Sequence, residues 1–284
     1  MAARASGYNR RVQSGRLALV TLLVASLTGA GLLAPVVQAQ APMGPEAHEG
    51  FKGPLAGIHW GKRVKAAEKA ARERQGSVSF SIRGGGVKRS RDGNHRFHSA
   101  SVVKAMLLVA YLRENSHRKL DGGEKELLTV MIRRSDNRAA TTVRDIVGNG
   151  SLENLADKAG LDCFATNAAS WGSTEICAKD MALFMKKIEG LLPKRHRAFA
   201  MELLRTIVTK QRWGFGQIAG NGWTPFFKGG WYADRVHQIA LLRGPGGAEL
   251  AVAILTSGQP GKAYGIETVT KVARALVGPV VNGK

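Results

Sequence analysis

The chain contains few cysteines and no recognisable arrangement of metal ligands. Only Cys163 and Cys177 occur among 284 residues, which excludes a scaffold held by several disulfides. The seven histidines are scattered and include no His-x-x-x-His pair, so we expect no metal and no cofactor. The two cysteines either form one bridge or remain as two free buried thiols. In an exported protein we expect the bridge, which for a loop of about 15 residues stabilises a fold by about 3 kcal/mol.

Acidic residues are also scarce, at 21 against 42 lysines and arginines, and the formal net charge is +21. The first 41 residues contain no acid at all. Four arginines stand there instead: Arg4, Arg10, Arg11 and Arg16. An apolar stretch over residues 17–33 follows them, and small residues offer cleavage after Ala39 or Ala41. This pattern predicts a signal peptide over residues 1–41, with an uncleaved membrane anchor as the alternative.

The predicted export signal constrains location and partners. Residues 42–55 are rich in Gly, Pro and Ala and are expected to form a flexible leader before a domain over residues 56–284. We therefore expect a secreted or cell-envelope protein. Removing the four arginines of the signal segment from +21 leaves +17, which suits an anionic cell wall or membrane surface. The basic residues are spread out without an aromatic-basic motif, so we expect no nucleic acid partner, and a monomer.

Hydrophobic periodicity predicts a mixed α/β (α+β) domain. Strands are expected over residues 77–82, 226–232, 236–243 and 250–257, with a short additional strand that ends at Phe97. Gly244-Pro-Gly-Gly247 predicts a hairpin between the last two of the four. Helical patterns fill most of residues 99–221 and include a helix over residues 152–159 that ends at Gly160; helices are also expected near both ends of the domain. Distant segments, about 56–98 and 222–284, would thus form one antiparallel sheet, flanked by helices and carrying an inserted helical subdomain.

Three short strings in one order indicate acyl transfer through a serine. They are Ser101-Val-Val-Lys104, Ser135-Asp136-Asn137 and Lys228-Gly229-Gly230. At the start of a helix, residues three apart are neighbours, so the Lys104 amine can take the proton of the Ser101 hydroxyl. The run after Lys104 is apolar on every side, which predicts a buried helix at the centre of the domain.

These strings resemble the serine β-lactamase and penicillin-binding-protein superfamily, whose motif set is Ser-x-x-Lys, Ser-Asp-Asn and Lys-Thr-Gly. The resemblance is to a divergent, class A-like member and spans about residue 56 to the C-terminus. It implies an active site between the two subdomains.

The resemblance also assigns roles to residues. Ser101 would be the nucleophile and Lys104 its base, with the amine pKa lowered by burial. Ser135 would relay a proton, and Asn137 and Lys228 would bind substrate beside Gly229, Gly230 and Trp231. The backbone N–H groups of Ser101 and Trp231 would form the oxyanion hole. Asp136 is expected to hold its loop through hydrogen bonds.

Two departures from the family pattern concern recognition of the substrate and release of the acyl-enzyme. Gly229 stands where the family has Thr or Ser, whose hydroxyl helps to hold a substrate carboxylate. Residues 160–172 contain no glutamate, whereas class A enzymes use one in this loop to release the acyl-enzyme. We therefore expect acylation of Ser101 by a β-lactam or peptide-like substrate and slow deacylation. A D,D-peptidase acting on cell-wall peptides and a non-catalytic penicillin-binding-fold module are the alternatives.

Overall fold

The fold is built around a five-stranded antiparallel sheet. The computed structural model describes residues 54–282; the predicted signal peptide and all but the end of the leader lie outside the described residues. The strands are β1 (Ser77–Gly84), β2 (Val87–Arg91), β3 (Arg96–His98), β4 (Glu175–Cys177), β5 (Thr224–Tyr232), β6 (Arg235–Arg243) and β7 (Glu249–Ser257). The sheet order is β2-β1-β7-β6-β5, so β5 lies at an edge.

Helices cover the sheet and form the inserted subdomain. They are α1 (Trp60–Arg72), α2 (Lys104–Glu114), α3 (Gly122–Arg133), α4 (Asn137–Ala159), α5 (Ala178–Leu191), α6 (Lys194–Arg205), α7 (Phe215–Ile218) and α8 (Lys262–Val281). The terminal helices α1 and α8 pack on each other, and α5 packs against β1 and β7. The predicted mixed α/β architecture, an antiparallel sheet with terminal helices and a helical insertion, is confirmed.

The central helix α2 is buried on all sides, as its apolar run predicts. All residues from Lys104 to Leu112 are buried, including the lysine. Such a helix holds its first turn rigidly, because side chains in a close-packed core have little freedom to move. Within residues 54–282, no helix is both long and apolar enough to cross a bilayer.

Three features of the fold differ from the sequence-based expectation. Leu55, assigned to the leader, is buried in the core at 5% exposure, so the folded domain begins before residue 56. Strand β3 pairs with β4 in a separate two-stranded sheet instead of joining the large one. Helix α4 begins at Asn137, although a helix was expected only over residues 152–159; Gly148, at φ 69°, interrupts it.

The structure joins Cys163 and Cys177 in a disulfide, with Cα atoms 5.8 Å apart. The bridge ties the loop after α4 to β4. The buried Asp180 carboxylate lies beside it and accepts a 2.6 Å hydrogen bond from the Cys163 backbone N–H. The disulfide and this hydrogen bond thus anchor the loop after α4, which borders the site described below.

Candidate active site

Ser101 lies in a 3₁₀ turn, Ala100–Val103, that leads directly into α2. Ala100 has a positive φ of 45°, which is unfavourable for a residue with a Cβ. The turn is held because Ser99, which is fully buried, donates its backbone N–H to Thr174 O at 2.8 Å. The Ser101 side chain is partly exposed and faces a cavity.

The Lys104 amine is buried and surrounded by acceptors. Its Nζ donates to Ser135 O at 2.7 Å, to Asn137 Oδ1 at 2.8 Å and to Ser135 Oγ at 3.2 Å. Burial lowers the pKa of Lys104 from 10.5 to about 7, while the charge of the Asp136 carboxylate acts in the opposite direction. Near neutral pH the amine is therefore available as a base. None of the three acceptors is Ser101 Oγ.

The loop between α3 and α4 presents Ser135 and Asn137 to Lys104. Ser135 has a positive φ of 59°, so its carbonyl and hydroxyl both turn toward the amine. Asp136 follows as the N-cap of α4 and accepts the Ala139 backbone N–H at 2.8 Å. Asp136 thus holds the loop through a hydrogen bond, the role expected from the sequence.

A second lysine reaches the same hydroxyl. Lys228 on β5 is fully buried, and its Nζ donates to Ser135 Oγ at 3.0 Å and to Gly229 O at 2.7 Å. Burial and then the charge of Lys104 lower the pKa of Lys228 well below 10.5. Two amines that share one hydroxyl in a buried site disfavour the doubly charged state, so at least one is neutral near pH 7.

The edge of β5 lies against the backbone of Ser101. A Cβ on Gly230 would come within 2.7 Å of Ser101 N and 2.8 Å of Val102 N, so only glycine fits. Val236 pairs with Trp231 on the neighbouring strand β6. Its backbone N–H donates to Thr256 Oγ1 at 3.0 Å, and its backbone C=O accepts the Thr256 hydroxyl at 2.8 Å. Trp231 is therefore in a pair without ladder hydrogen bonds, and its own N–H points to the open edge. Ser101 and Trp231 both line the cavity described below.

Gly229 has a structural reason to lack a side chain. A Cβ there would lie 2.9 Å from Cζ2 and 3.2 Å from Cη2 of Trp213, whose ring is buried. The volume in which the family carries a Thr or Ser side chain is thus filled by tryptophan.

Trp171 covers Lys104 from the side of the glutamate-free loop. The lysine Nζ lies 4.7 Å from the centroid of the Trp171 ring, a cation–π distance. The indole Nε1–H donates to Thr141 Oγ1 at 3.1 Å, which fixes the ring. The sequence indicated the missing glutamate but not the tryptophan; an aromatic side chain in that loop, in a chain only 6% aromatic, was the available signal.

A cavity of about 450 Å³ opens beside Ser101. It is lined by His98, Ala100, Ser101, Asn137, Ser170, Trp171, Gly172, Ser173, Trp231, Tyr232 and Arg235. The structure thus brings Ser101, Asn137 and Trp231 to one cavity. Lys104 and Lys228 are fully buried and are not among the lining residues, whereas Ser135, which both amines contact, is partly exposed. His98 and Arg235 carry no motif and were missed in the sequence.

One group of potential metal ligands occurs in the described part of the chain: Cys163, Cys177 and Asp180. Both sulfur atoms are used in the disulfide, so the group offers no thiolate to a metal.

The fold and this set of residues define a hydrolase of the serine β-lactamase and penicillin-binding-protein type. The chain belongs to the β-lactamase enzyme family, whose profile matches residues 123–280, more than half of the sequence. The match includes Ser135 and Lys228 but begins after Ser101 and Lys104. A search of curated protein sequences found no match.

Solved structures share the fold at low sequence identity. A β-lactamase from Sphaerobacter thermophilus has a TM-score of 0.68 and 20% identity, over 80% of this chain and 99% of that one. A mutant of PBP-A, in an acyl-enzyme complex with penicillin G, has a TM-score of 0.67 and 19% identity, over 79% and 97%. A class A β-lactamase from Mycobacterium abscessus gives 0.66 and 17%, over 76% and 98%.

Proposed function

We propose that the protein is an exported serine hydrolase that forms an acyl-enzyme at Ser101 with a β-lactam or a related cell-wall peptide. The observation that carries this proposal is the buried Lys104 amine, whose pKa near 7 and contact with Ser135 make it a base next to the turn of Ser101. Export rests on the signal-like sequence of residues 1–41. The PBP-A complex with penicillin G supports a β-lactam as the acyl donor.

Acylation moves one proton through three side chains. Ser101 Oγ bonds to the carbonyl carbon of the β-lactam while its proton passes to the neutral Lys104 amine. The carbonyl C–N bond then breaks. Lys104 returns the proton through Ser135 Oγ, 3.2 Å away, to the leaving nitrogen. The ring opens without losing an atom, and the amine is neutral again.

The oxyanion formed in this step needs donors that are already in place. The backbone N–H groups of Ser101 and Trp231 supply them at the edge of β5. In a serine protease, removal of one such donor slows the reaction by about 100- to 1000-fold. The close approach of Gly230 to Ser101 N brings β5, and with it the neighbouring Trp231, up to the turn of Ser101.

Hydrolysis of the acyl-enzyme lacks an evident base. No aspartate or glutamate is among the described residues that line the cavity. The Trp171 ring lies against Lys104, where it excludes water from the amine. We therefore expect the acyl-enzyme to persist, and turnover of β-lactams to be slow.

Intact-mass spectrometry with several β-lactams tests the proposal. We expect wild-type protein to gain the mass of one antibiotic molecule and to lose it slowly, and Ser101→Ala to gain nothing. Fast loss of the adduct would indicate an efficient β-lactamase. The absence of any adduct would contradict the proposal and favour a non-catalytic module.

A D,D-peptidase is the second candidate, favoured by the same cavity without a carboxylate. Such an enzyme transfers the acyl group of a peptide ending in D-Ala-D-Ala and releases D-alanine. Release of D-alanine from a cell-wall pentapeptide, lost in Ser101→Ala, would identify this activity; its absence together with a penicillin adduct would limit the protein to β-lactams.

A further inference from the structure

A guanidinium group lies at the rim of the cavity. Arg235 begins β6, and its Nη1 is 3.3 Å from His98 Nδ1, while its Nε is 3.3 Å from Asp234 Oδ1. Among residues 54–282, Nη2 has no hydrogen-bond partner. The Arg235 side chain is 24% exposed, so most of its surface is packed and its position is defined.

Among the described residues, Asp234 is the one acidic group within ion-pair distance of this guanidinium. The described cavity lining contains no acidic residue. Asp234 also accepts the Gly258 backbone N–H at 2.8 Å, and Glu175, opposite His98, pairs with Arg96 at 2.7 Å. Arg235 thus gives the cavity a positive rim that can still accept an anion.

Two tryptophans give the cavity an apolar surface. Trp171, which lies against Lys104, and Trp231, which belongs to the edge strand β5, both line the cavity. Lys262 Nζ stacks 3.9 Å from the centroid of the Trp231 ring and holds that ring in place. A flat, apolar group therefore fits next to a position for an anion.

The position of the proton relay decides which part of a substrate enters this cavity. Ser135, held by Lys104 and Lys228, delivers a proton to the leaving nitrogen, so the leaving group lies toward these lysines. Both lysines are fully buried, and neither lines the cavity. The other substituent of the scissile carbonyl, the acyl group, is thereby directed into the cavity that Arg235 borders.

We propose that the preferred substrates carry a carboxylate, beside a flat apolar group, on the acyl side of the scissile bond, and that Arg235 binds this carboxylate. The inference rests on the proposed acylation of Ser101. It makes Arg235 a specificity-determining residue of a site whose sequence motifs do not include it.

A matched pair of penicillins tests this substrate class. Carbenicillin is benzylpenicillin with one added carboxylate on the acyl side chain. We expect wild-type protein to be acylated by carbenicillin about tenfold faster than by benzylpenicillin, as a hydrogen bond to a charged group predicts. Arg235→Gln should reduce this ratio to about one, and Arg235→Lys should retain a preference. The control Arg89→Gln removes the same charge from an exposed position on β2 and should keep the wild-type ratio.

A binding measurement separates this inference from the chemistry at Ser101. In Ser101→Ala, ligand-observed NMR should show tighter binding of carbenicillin than of benzylpenicillin, and Arg235→Gln in that background should abolish the difference. If wild-type protein is not acylated but this difference remains, the proposed reaction fails and the substrate class stands. Equal binding of the two penicillins, or no binding of either, would overturn the inference even if Ser101 is acylated.

Discussion

At the scale of single residues, the chemistry depends on one amine. Acylation needs neutral Lys104, whose pKa is lowered to about 7. Below that pH the amine is protonated, so the acylation rate constant should fall about tenfold per pH unit, and above it the rate should level off. Stopped-time intact-mass measurements from about pH 5.5 to 8.5 give this profile. Lys104→Arg, which stays charged, should show no acylation in the range; a flat wild-type profile would contradict the role of Lys104 as base.

Gly229 and Trp213 form a coupled pair of residues. Introducing the family's threonine in Gly229→Thr places a Cβ 2.9 Å from the Trp213 ring, so we expect a loss of about 1–3 kcal/mol in the free energy of unfolding. In the background of Trp213→Ala, itself destabilising, the same change should cost at least about 1 kcal/mol less. Denaturant unfolding of the four proteins measures the coupling, and additive effects would show that the ring does not exclude the side chain.

At the scale of elements, the site depends on how closely β5 approaches the 3₁₀ turn. Gly230→Ala would force the strand away from the Ser101 and Val102 nitrogens. We expect acylation to slow by about 100-fold or more, because the two N–H groups of the oxyanion hole separate. Gly61→Ala, in α1 with no atom within 4 Å of the new Cβ, is the control and should leave acylation unchanged. Wild-type acylation in Gly230→Ala would argue against this hole.

Some elements could be predicted from the sequence and others could not. The α2 helix and the β6–β7 hairpin follow from an uninterrupted apolar run and from a glycine-proline turn. The first half of α4 was missed because residues 137–150 are rich in polar residues and glycine, and the helix is set by its cap at Asp136 and by contact with α2. The β3–β4 pair joins three-residue strands far apart in sequence, and such short strands have no usable periodicity.

The candidate site likewise contains some residues that could be predicted from the sequence and some that could not. Ser101, Lys104, Ser135 and Asn137 could be predicted because their chemistry depends on local spacing within motifs. The cation–π contact of Trp171 with Lys104 and the place of Arg235 beside His98 arise only from tertiary packing. Likewise, the sequence indicated that Lys228 is positive and near the nucleophile, but not that its amine is fully buried.

At the scale of the whole molecule, a buried histidine makes the fold sensitive to acid. His237 donates from Nε2 to His98 O at 2.9 Å and accepts the Thr256 N–H on Nδ1 at 3.1 Å, so it connects β3, β6 and β7. Burial lowers its pKa from 6.5 to about 4. Between these values the unfolded chain binds a proton that the folded protein does not, so stability falls as pH falls, by about 3 kcal/mol in total.

Unfolding free energies measured from about pH 4 to 6.5 test this prediction. The difference between wild type and His237→Gln should shrink as the pH falls, because the variant lacks the group that titrates; other ionisable groups cancel in the comparison. The exposed His117→Gln should keep the wild-type slope. A constant difference between wild type and His237→Gln would contradict the assignment.

The covalent state of Ser101 after exposure to a penicillin tests the central claim most directly. Trypsin cleaves after Arg96 and Lys104 and releases residues 97–104, which contain Ser99 and Ser101. After acid quenching, we predict that this peptide carries the mass of one intact penicillin, that fragmentation locates it on Ser101, and that Ser101→Ala carries none. An unmodified peptide, or an adduct that persists in Ser101→Ala, would contradict the account.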